Sequence, residues 1–439
     1  MAQKTQGIHR KRDKALGLLE LIAIALGGMI GGGIFTVLGI SVAMIGILTP
    51  VAFLVGGLLA VLAVYSYIKL AVYYQDEGAT YSFFKRTFPR SAFAAALIGW
   101  WVIFGYISTL ALYAYTFASY AISGFDFASN EWIRKAVALC IIALFTCINV
   151  WSVKGMGKVE DVMVYTKLLI LVGISFVLMT HSHTSLPHMM SDIAYSEINI
   201  FSILVVASLT FVAFEGFQLV INAVNEMETP EKNIPKSIYV AVIVAIGIYF
   251  ILSLGAIMAI PLDDIIQNQE YALASGANKM LGHWGTELVI LGALLATSSA
   301  ISGTLFGASR QMAVIASDGY FPSLLCKRSR NIPVAAIITM ALLACALILA
   351  GDLKVILEFG SVTFLLVSLL MAYANFRIYK QTHSSLLLTL LAIAGLLIGT
   401  ILILYYEATT QIEQLYFIGA IYIALSLGAW LYSRVSQQG

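Results

Sequence analysis

The chain has 439 residues, of which 60% are hydrophobic and only 11% are charged. This composition is far more apolar than that of soluble globular proteins, and it predicts a membrane protein. The net charge of +2 is small and gives no reason to expect a nucleic-acid partner.

Apolar runs long enough to cross a bilayer as helices recur along the whole chain. They centre near residues 30, 58, 106, 141, 169, 213, 248, 300, 341, 366, 394 and 424. Only short loops join them. The sequence therefore predicts an all-α membrane protein with twelve transmembrane helices and no soluble catalytic domain.

Basic residues are distributed unequally between the two sides of the membrane. With the N-terminus in the cytoplasm, nearly all of the 25 lysine and arginine residues fall in the tail or in cytoplasmic loops. The opposite side receives Arg134, Lys135, Lys279 and Lys354, and Lys167 lies within a span. Because cytoplasmic loops are enriched in these residues, we predict a multi-pass protein of the cell membrane with both termini in the cytoplasm.

The first span contains five glycines within residues 27–33. Each glycine is disfavoured in a helix by about 1 kcal/mol relative to alanine, so the helix is predicted to break there. Unwound backbone at this depth is tolerated only where protein buries it or where it lines a cavity. The alternative is that the glycines only allow close packing of helices. We predict a binding site at the break, with the N–H groups of Gly31, Gly32 and Gly33 suited to a carboxylate.

The fifth span carries Lys167, deep within apolar sequence. A lone ammonium in hydrocarbon is costly, so burial favours loss of its proton. The alternative is a side chain that extends along the helix to reach the cytoplasmic surface.

The sixth span contains Glu215 beside Gly216, which predicts a second break. A carboxyl group at mid-span usually faces a cavity or a partner. Glu215 is expected to bind a cationic group of a ligand, to share a proton, or to pair with Lys167. A kinked helix with a protonated, hydrogen-bonded glutamate is the alternative.

With these features the chain resembles the amino acid–polyamine–organocation (APC) superfamily, particularly its bacterial and archaeal amino acid permeases. The likeness covers nearly the whole chain and rests on motifs at residues 31–35, 77–81, 211–217, 226–235, 309–310 and 318–322. Each motif is weak alone, but together they follow the order of the family. In two places the chain departs from the family: many members have serine or threonine at the position of Gly32 and an apolar residue at that of Glu215.

The resemblance implies a leucine-transporter-like fold in which spans 1–5 and 6–10 form an inverted repeat with broken helices 1 and 6. It divides the chain into a cytoplasmic tail (1–15), a transport core (16–380) and a peripheral segment (381–439). Substrate would bind between the two breaks, with its amine near the carbonyls of Met29, Phe211 and Phe214. The residues expected at the substrate are Met29, Ile30, Gly31, Gly32, Gly33, Phe211, Ala213, Phe214 and Glu215.

Residues of the third and eighth spans are further candidates. Ser298, Ser299 and Ser302 are expected near the pocket from the family resemblance, and Trp101 and Phe104 are expected either to wall it or to fill the core. Serines also pack membrane helices without contacting any ligand.

The resemblance implies a secondary active transporter of amino acids, with Lys167 matching a lysine that replaces a sodium ion in proton-coupled members. We expect proton symport by alternating access, with an amino acid, a proton and the lipid bilayer as partners. The alternatives are a proton-independent exchanger, a polyamine or cation transporter, and a membrane sensor that does not transport. No enzyme, cofactor or metal site is expected, and the sequence leaves the preferred amino acid and the oligomeric state open.

Overall fold

A computed structural model of the protein describes residues 16–151, 156–180, 199–329 and 332–435. The predicted tail, residues 1–15, lies outside these ranges. Within them the regular structure is helical: α1 Leu18–Met29, α2 Gly32–Ile45, α3 Thr49–Tyr74, α4 Ala79–Thr87, α5 Ala92–Ile122, α6 Glu131–Trp151, α7 Met156–Thr180, α8 Ile200–Thr210, α9 Gln218–Asn222, α10 Pro230–Ala259, α11 Leu262–Gln267, α12 Ala272–Ser317, α13 Val334–Ala350, α14 Leu353–Arg377, α15 Leu386–Thr410 and α16 Ile412–Val435. Short 3₁₀ turns occupy Gly46–Leu48, Phe211–Phe214, Val224–Glu226, Gln269–Tyr271 and Ser323–Cys326.

The described helices are those of a multi-pass membrane protein. Ten helical segments are long and apolar enough to cross a membrane, by length and composition. Leu18–Met29 and Val334–Ala350 are shorter apolar helices. The α1 helix is short because the first apolar run is broken near its middle, as the glycines predict. The helical, membrane-embedded class expected from composition is therefore confirmed.

The helices differ strongly in how far the rest of the protein covers them. The most extensive contacts join α12 to α5 and α10 to α3. In α14, 83% of the most apolar window is buried within the protein, compared with 17% in α16. The α5, α12 and α14 helices therefore form the interior around the broken first and sixth spans, whereas α16 lies at the periphery.

Short segments cover the ends of this interior. The helix α4 packs against α5 and α14, and its Tyr81 donates a 2.8 Å hydrogen bond to Asp318 after the end of α12. At the opposite end, the 3₁₀ turn at Gln269–Tyr271 packs on α2. Arg134 of α6 forms an ion pair with Glu270 of that turn.

Candidate functional site

The first span is broken at Ile30 and Gly31. Ile30 has φ −86° and ψ 76°, and Gly31 has φ −117° and ψ −138°, so neither residue continues the helix. The N–H of Gly31 donates to the carbonyl of Met29 at 3.0 Å, whereas Gly32 and Gly33 open α2. Because the first N–H groups of a helix have no partner within it, Gly32 and Gly33 retain the donor character predicted for all three glycines.

The sixth span is broken over a longer stretch. A 3₁₀ turn at Phe211–Phe214 follows α8, Glu215 is extended with φ −72° and ψ 151°, and Gly216 has φ +120°. Glycine adopts such a positive φ without steric cost, whereas a side chain there would be strained. The chain returns to α-helix at Gln218. The hydrogen bonding of a regular α-helix is therefore interrupted between Phe211 and Phe217.

The two breaks touch each other through glycines. A Cβ atom on Gly28 would lie 3.1 Å from the Cα of Gly216, and one on Gly33 would lie 2.9 Å from the Cα of Ala213. The 2.9 Å separation is shorter than a Cβ atom tolerates, and the 3.1 Å separation would require the neighbouring backbone to shift by a few tenths of an ångström. The glycines therefore serve close packing as well as the break, because without side chains the two unwound segments lie backbone to backbone.

Two buried tyrosine hydroxyls bind the carbonyls at the breaks. Tyr113 of α5 donates to the carbonyl of Gly28 at 3.1 Å. The hydroxyl of Tyr249 on α10 lies 2.8 Å from the carbonyl oxygen of Met29 and 2.9 Å from that of Ala213, and its single hydrogen is shared between them. Sequence reasoning missed both residues. The available signal is that a buried tyrosine hydroxyl usually finds a hydrogen-bond partner, and both lie within apolar spans.

Lys167 on α7 contacts backbone carbonyls at and just before the first break. Its side chain is fully buried, and its Nζ donates to the carbonyls of Gly27 at 3.1 Å and Ile30 at 2.5 Å and to Ser299 Oγ at 2.7 Å. Ser299 donates its own proton to the carbonyl of Ala296 at 2.9 Å, so its oxygen accepts from the lysine. An ammonium group has three donors and no acceptor, which matches this arrangement. The side chain does not extend to the cytoplasmic surface.

Glu215 lies on the sixth break and is 2% exposed. Its Oε2 accepts a 2.6 Å hydrogen bond from Gln218 Nε2, while its Oε1 has no hydrogen-bond partner among the described residues. Glu215 and Lys167 both lie within the described ranges, and no ion pair joins them there. The two buried ionisable groups therefore serve different breaks, and the alternative in which they pair is not realised in this conformation.

The space beside Gly32 is occupied by a hydroxyl side chain of a different helix. A Cβ on Gly32 would lie 2.8 Å from Thr116 Oγ1 of α5. Thr116 also lies 2.6 Å from the hydroxyl oxygen of Thr36 on α2. The missing side chain at Gly32 thus makes room for a threonine of the neighbouring helix.

The remaining candidates fall in two places. Ser299 contacts Lys167, and the nearby Ser302 Oγ lies 3.5 Å from Asn149 Nδ2; Ser298 is also buried on α12. Trp101 and Phe104 pack both against the main apolar interior and against a small apolar cluster of Phe359, Ile418 and Leu425. Among the described residues, no group of three or more His, Cys, Asp or Glu side chains is arranged to hold a metal ion.

Comparison with known proteins yields a family match and several relatives. The model of the family described as amino acid permease matches residues 16–427. An uncharacterized protein of Methanocaldococcus jannaschii is 26% identical over 97% of each chain. The inner membrane transport protein YbaT of Escherichia coli is 30% identical, over 89% of this chain and 88% of the relative. The chloroplastic cationic amino acid transporter 7 of Arabidopsis thaliana is 24% identical, over 82% of this chain and 65% of its own length.

Proposed function

Since the chain belongs to the amino acid permease family, a family of integral membrane transporters, we propose that it accumulates amino acids by symport with protons through alternating access. The observation that carries the proposal is Lys167. Its Nζ donates to carbonyls at the first break, so gain or loss of its proton directly changes the hydrogen bonds of that segment.

The proposed architecture follows from the family and from the two breaks. Twelve spans arise when α1–α2 and α8–α9 each count as one broken span and α13 as a further one. Spans 1–5 and 6–10 then form the leucine-transporter-like inverted repeat, with α15 and α16 outside it. Both termini are cytoplasmic in this proposal, as the distribution of basic residues predicts.

The amino acid is proposed to bind between the breaks. Its α-carboxylate would face the first N–H groups of α2 at Gly32 and Gly33, where the helix dipole also favours an anion. Its ammonium would face carbonyls of Met29, Phe211 and Phe214. Because Met29 is already bonded to Tyr249, an ammonium at that carbonyl would share it with the tyrosine or displace the hydroxyl.

Proton coupling is proposed to act through the tie between α7 and α1. A neutral amine has two donors and one lone pair, so it cannot satisfy three acceptors at once. Loss of the proton from Lys167 would therefore weaken its hold on Gly27 and Ile30. Movement of α1 away from α7 would then become easier, and a proton shifts this equilibrium only by its differential affinity for the two conformations.

The test is uptake by the purified protein in proteoliposomes. A thermal-shift screen of the common amino acids identifies ligands first, because a ligand that binds the folded protein raises its apparent stability. We expect an inward proton gradient to accelerate uptake of those ligands and to concentrate them. Counterflow without acceleration by the gradient would support an exchanger instead, and ligand binding without counterflow would support a sensor.

A cationic substrate is the second candidate within the same transport class. It is favoured by the name of the Arabidopsis relative and by the buried carboxyl of Glu215. Competition of unlabelled lysine, arginine and a polyamine against labelled neutral amino acids separates this candidate from a transporter of neutral substrates.

A further inference from the structure

Glu215 is held in a fixed polar network through one oxygen only. Gln218 Oε1 accepts hydrogen bonds from Tyr106 at 2.7 Å and from Thr80 at 3.2 Å. Its Nε2 donates to Glu215 Oε2 at 2.6 Å and to the hydroxyl oxygen of Tyr67 at 3.2 Å. Glu215 Oε1 lies outside this network and has no hydrogen-bond partner among the described residues.

The surroundings of Glu215 are polar but uncharged. The titratable groups that face it are Tyr67 of α3 and Tyr106 and Tyr113 of α5. Ser368 of α14 also lies beside the carboxyl, although its hydroxyl forms no hydrogen bond with a described residue. Within the described ranges, no lysine, arginine or histidine pairs with Glu215. A carboxylate buried here would be uncompensated, whereas a protonated carboxyl needs no counter-charge.

We propose that Glu215 is a proton-binding residue of the transport cycle, separate from Lys167, and that it carries its proton in this conformation. This rests on the proposed proton symport and adds a second proton site to it. The site lies where α9 meets α3 and α5, the elements that supply Gln218, Tyr67 and Tyr106. When α9 moves away from α3 and α5, Gln218 loses its contacts with Tyr67 and Tyr106, and water reaches the carboxyl.

The network also indicates the side to which the proton departs. Thr80 belongs to α4, and the next residue, Tyr81, donates a 2.8 Å hydrogen bond to Asp318. The carboxyl of Asp318 is 33% exposed and also pairs with Lys85 at 2.8 Å. The polar residues thus run from Glu215 toward the predicted cytoplasmic face. When water enters from that face, the O–H bond of the Glu215 carboxyl breaks and its proton passes to water. A carboxylate then remains until the next proton binds.

The test counts protons moved for each amino acid in proteoliposomes of the full chain with the membrane potential clamped at zero. The variants are Glu215→Gln, Glu215→Asp and the control Glu413→Gln, an exposed carboxyl on α16. A labelled mixture of the common L-amino acids is the probe. The proton number is read from the pH gradient that balances a known substrate gradient. We expect it to fall by one proton in Glu215→Gln and to stay at the wild-type value in Glu215→Asp and the control.

A second measurement tests the protonated state itself. Glutamine has nearly the shape of a protonated glutamate and needs no counter-charge, so Glu215→Gln is expected to keep the thermal midpoint of the wild type at pH 7. A large fall in that midpoint would show that the native group is ionised and would overturn the proposal.

Other outcomes separate this proposal from the one on which it rests. If the proton number of Glu215→Gln equals that of the wild type, Glu215 is not a proton site. A selective loss of competition by L-lysine, at unchanged proton number, would assign the carboxyl to a cationic substrate side chain instead. Absence of proton movement in a wild type that still shows counterflow would overturn both proposals. A proton number that falls in Lys167→Met but not in Glu215→Gln would overturn only this one.

Discussion

Replacing Lys167 by methionine removes the charge and the donors while keeping an unbranched side chain of similar length. In the native protein Nζ donates to the carbonyls of Gly27 and Ile30 and to Ser299. The methionine side chain has no N–H group, so the carbonyls of Gly27 and Ile30 lose the donor that Nζ supplies. The apolar volume around the site stays nearly filled. The substitution therefore tests the polar tie between α7 and α1 more directly than a truncation to alanine would.

The size of the effect follows from these contacts. Hydrogen bonds to a charged group contribute about 1.5–3 kcal/mol each. The two bonds from Lys167 to Gly27 and Ile30 therefore bias the position of α1 by roughly 3–6 kcal/mol before reorganisation. Since about 1.4 kcal/mol corresponds to a factor of ten, the conformational equilibrium shifts by on the order of 10²–10⁴.

The assay compares gradient-driven accumulation with counterflow in the same proteoliposomes. At zero membrane potential, a pH difference of one unit drives about tenfold accumulation for each proton that accompanies the amino acid. We expect Lys167→Met to lose the tenfold share that its own proton drives while keeping measurable counterflow, because binding between the breaks does not require the lysine. Lys232→Met, which changes an exposed lysine on α10, is the matched control and should accumulate substrate like the wild type.

Full accumulation by Lys167→Met would refute the coupling role of the lysine. Loss of both accumulation and counterflow, together with a normal ligand-induced thermal shift, would place Lys167 in the conformational change without assigning it the proton.

Two further predictions concern the contact between the breaks. Gly28→Ala places a methyl group 3.1 Å from both the Cα and the carbonyl oxygen of Gly216, where the backbone cannot easily move away, so we expect it to lower the free energy of unfolding by about 1–3 kcal/mol and to slow counterflow. Gly173→Ala has no atom within 4 Å of its added carbon and is the control; equal thermal midpoints in the two variants would contradict the close approach. Tyr249→Phe removes the hydroxyl that binds two carbonyls at the breaks, and we expect a loss of about 1–3 kcal/mol in thermal or denaturant unfolding. Tyr416→Phe, at a tyrosine that is 71% exposed, should be neutral, and a Tyr249→Phe variant as stable as this control would show that the carbonyls find other donors.

Much of the site was predictable because its residues break strong local rules. Clustered glycines in an apolar run, a lysine in one span and a glutamate in another each carry a cost in lipid that demands a structural reason. The position of the first break follows from this argument to within a few residues. The helix resumes at Gly32, however, and the N–H of Gly31 donates to the carbonyl of Met29 and is not free to bind a ligand.

The site residues that were not predicted are of types that are common in apolar spans. Tyr113 and Tyr249 are ordinary members of apolar spans, and only the crossing of α5 and α10 with the breaks places their hydroxyls at backbone carbonyls. For Trp101 and Phe104 the sequence leaves two roles open, because an aromatic stripe suits both a pocket wall and a core, and only the structure shows that they pack against residues of α16.

The sequence by itself determined the membrane class, the helical spans and the two interruptions, since each depends on the free energy of placing a given residue type in hydrocarbon. Tertiary structure alone decided which partners the interrupted segments acquire. Lys167 lies far along the chain from Gly27 and Ile30, Thr116 from Thr36, and Gln218 from Tyr67 and Tyr106, and a one-dimensional pattern contains no distance between helices. Contact between Gly28 and Gly216 could be specified only when the first and sixth spans packed together, because it depends on how closely two backbones approach.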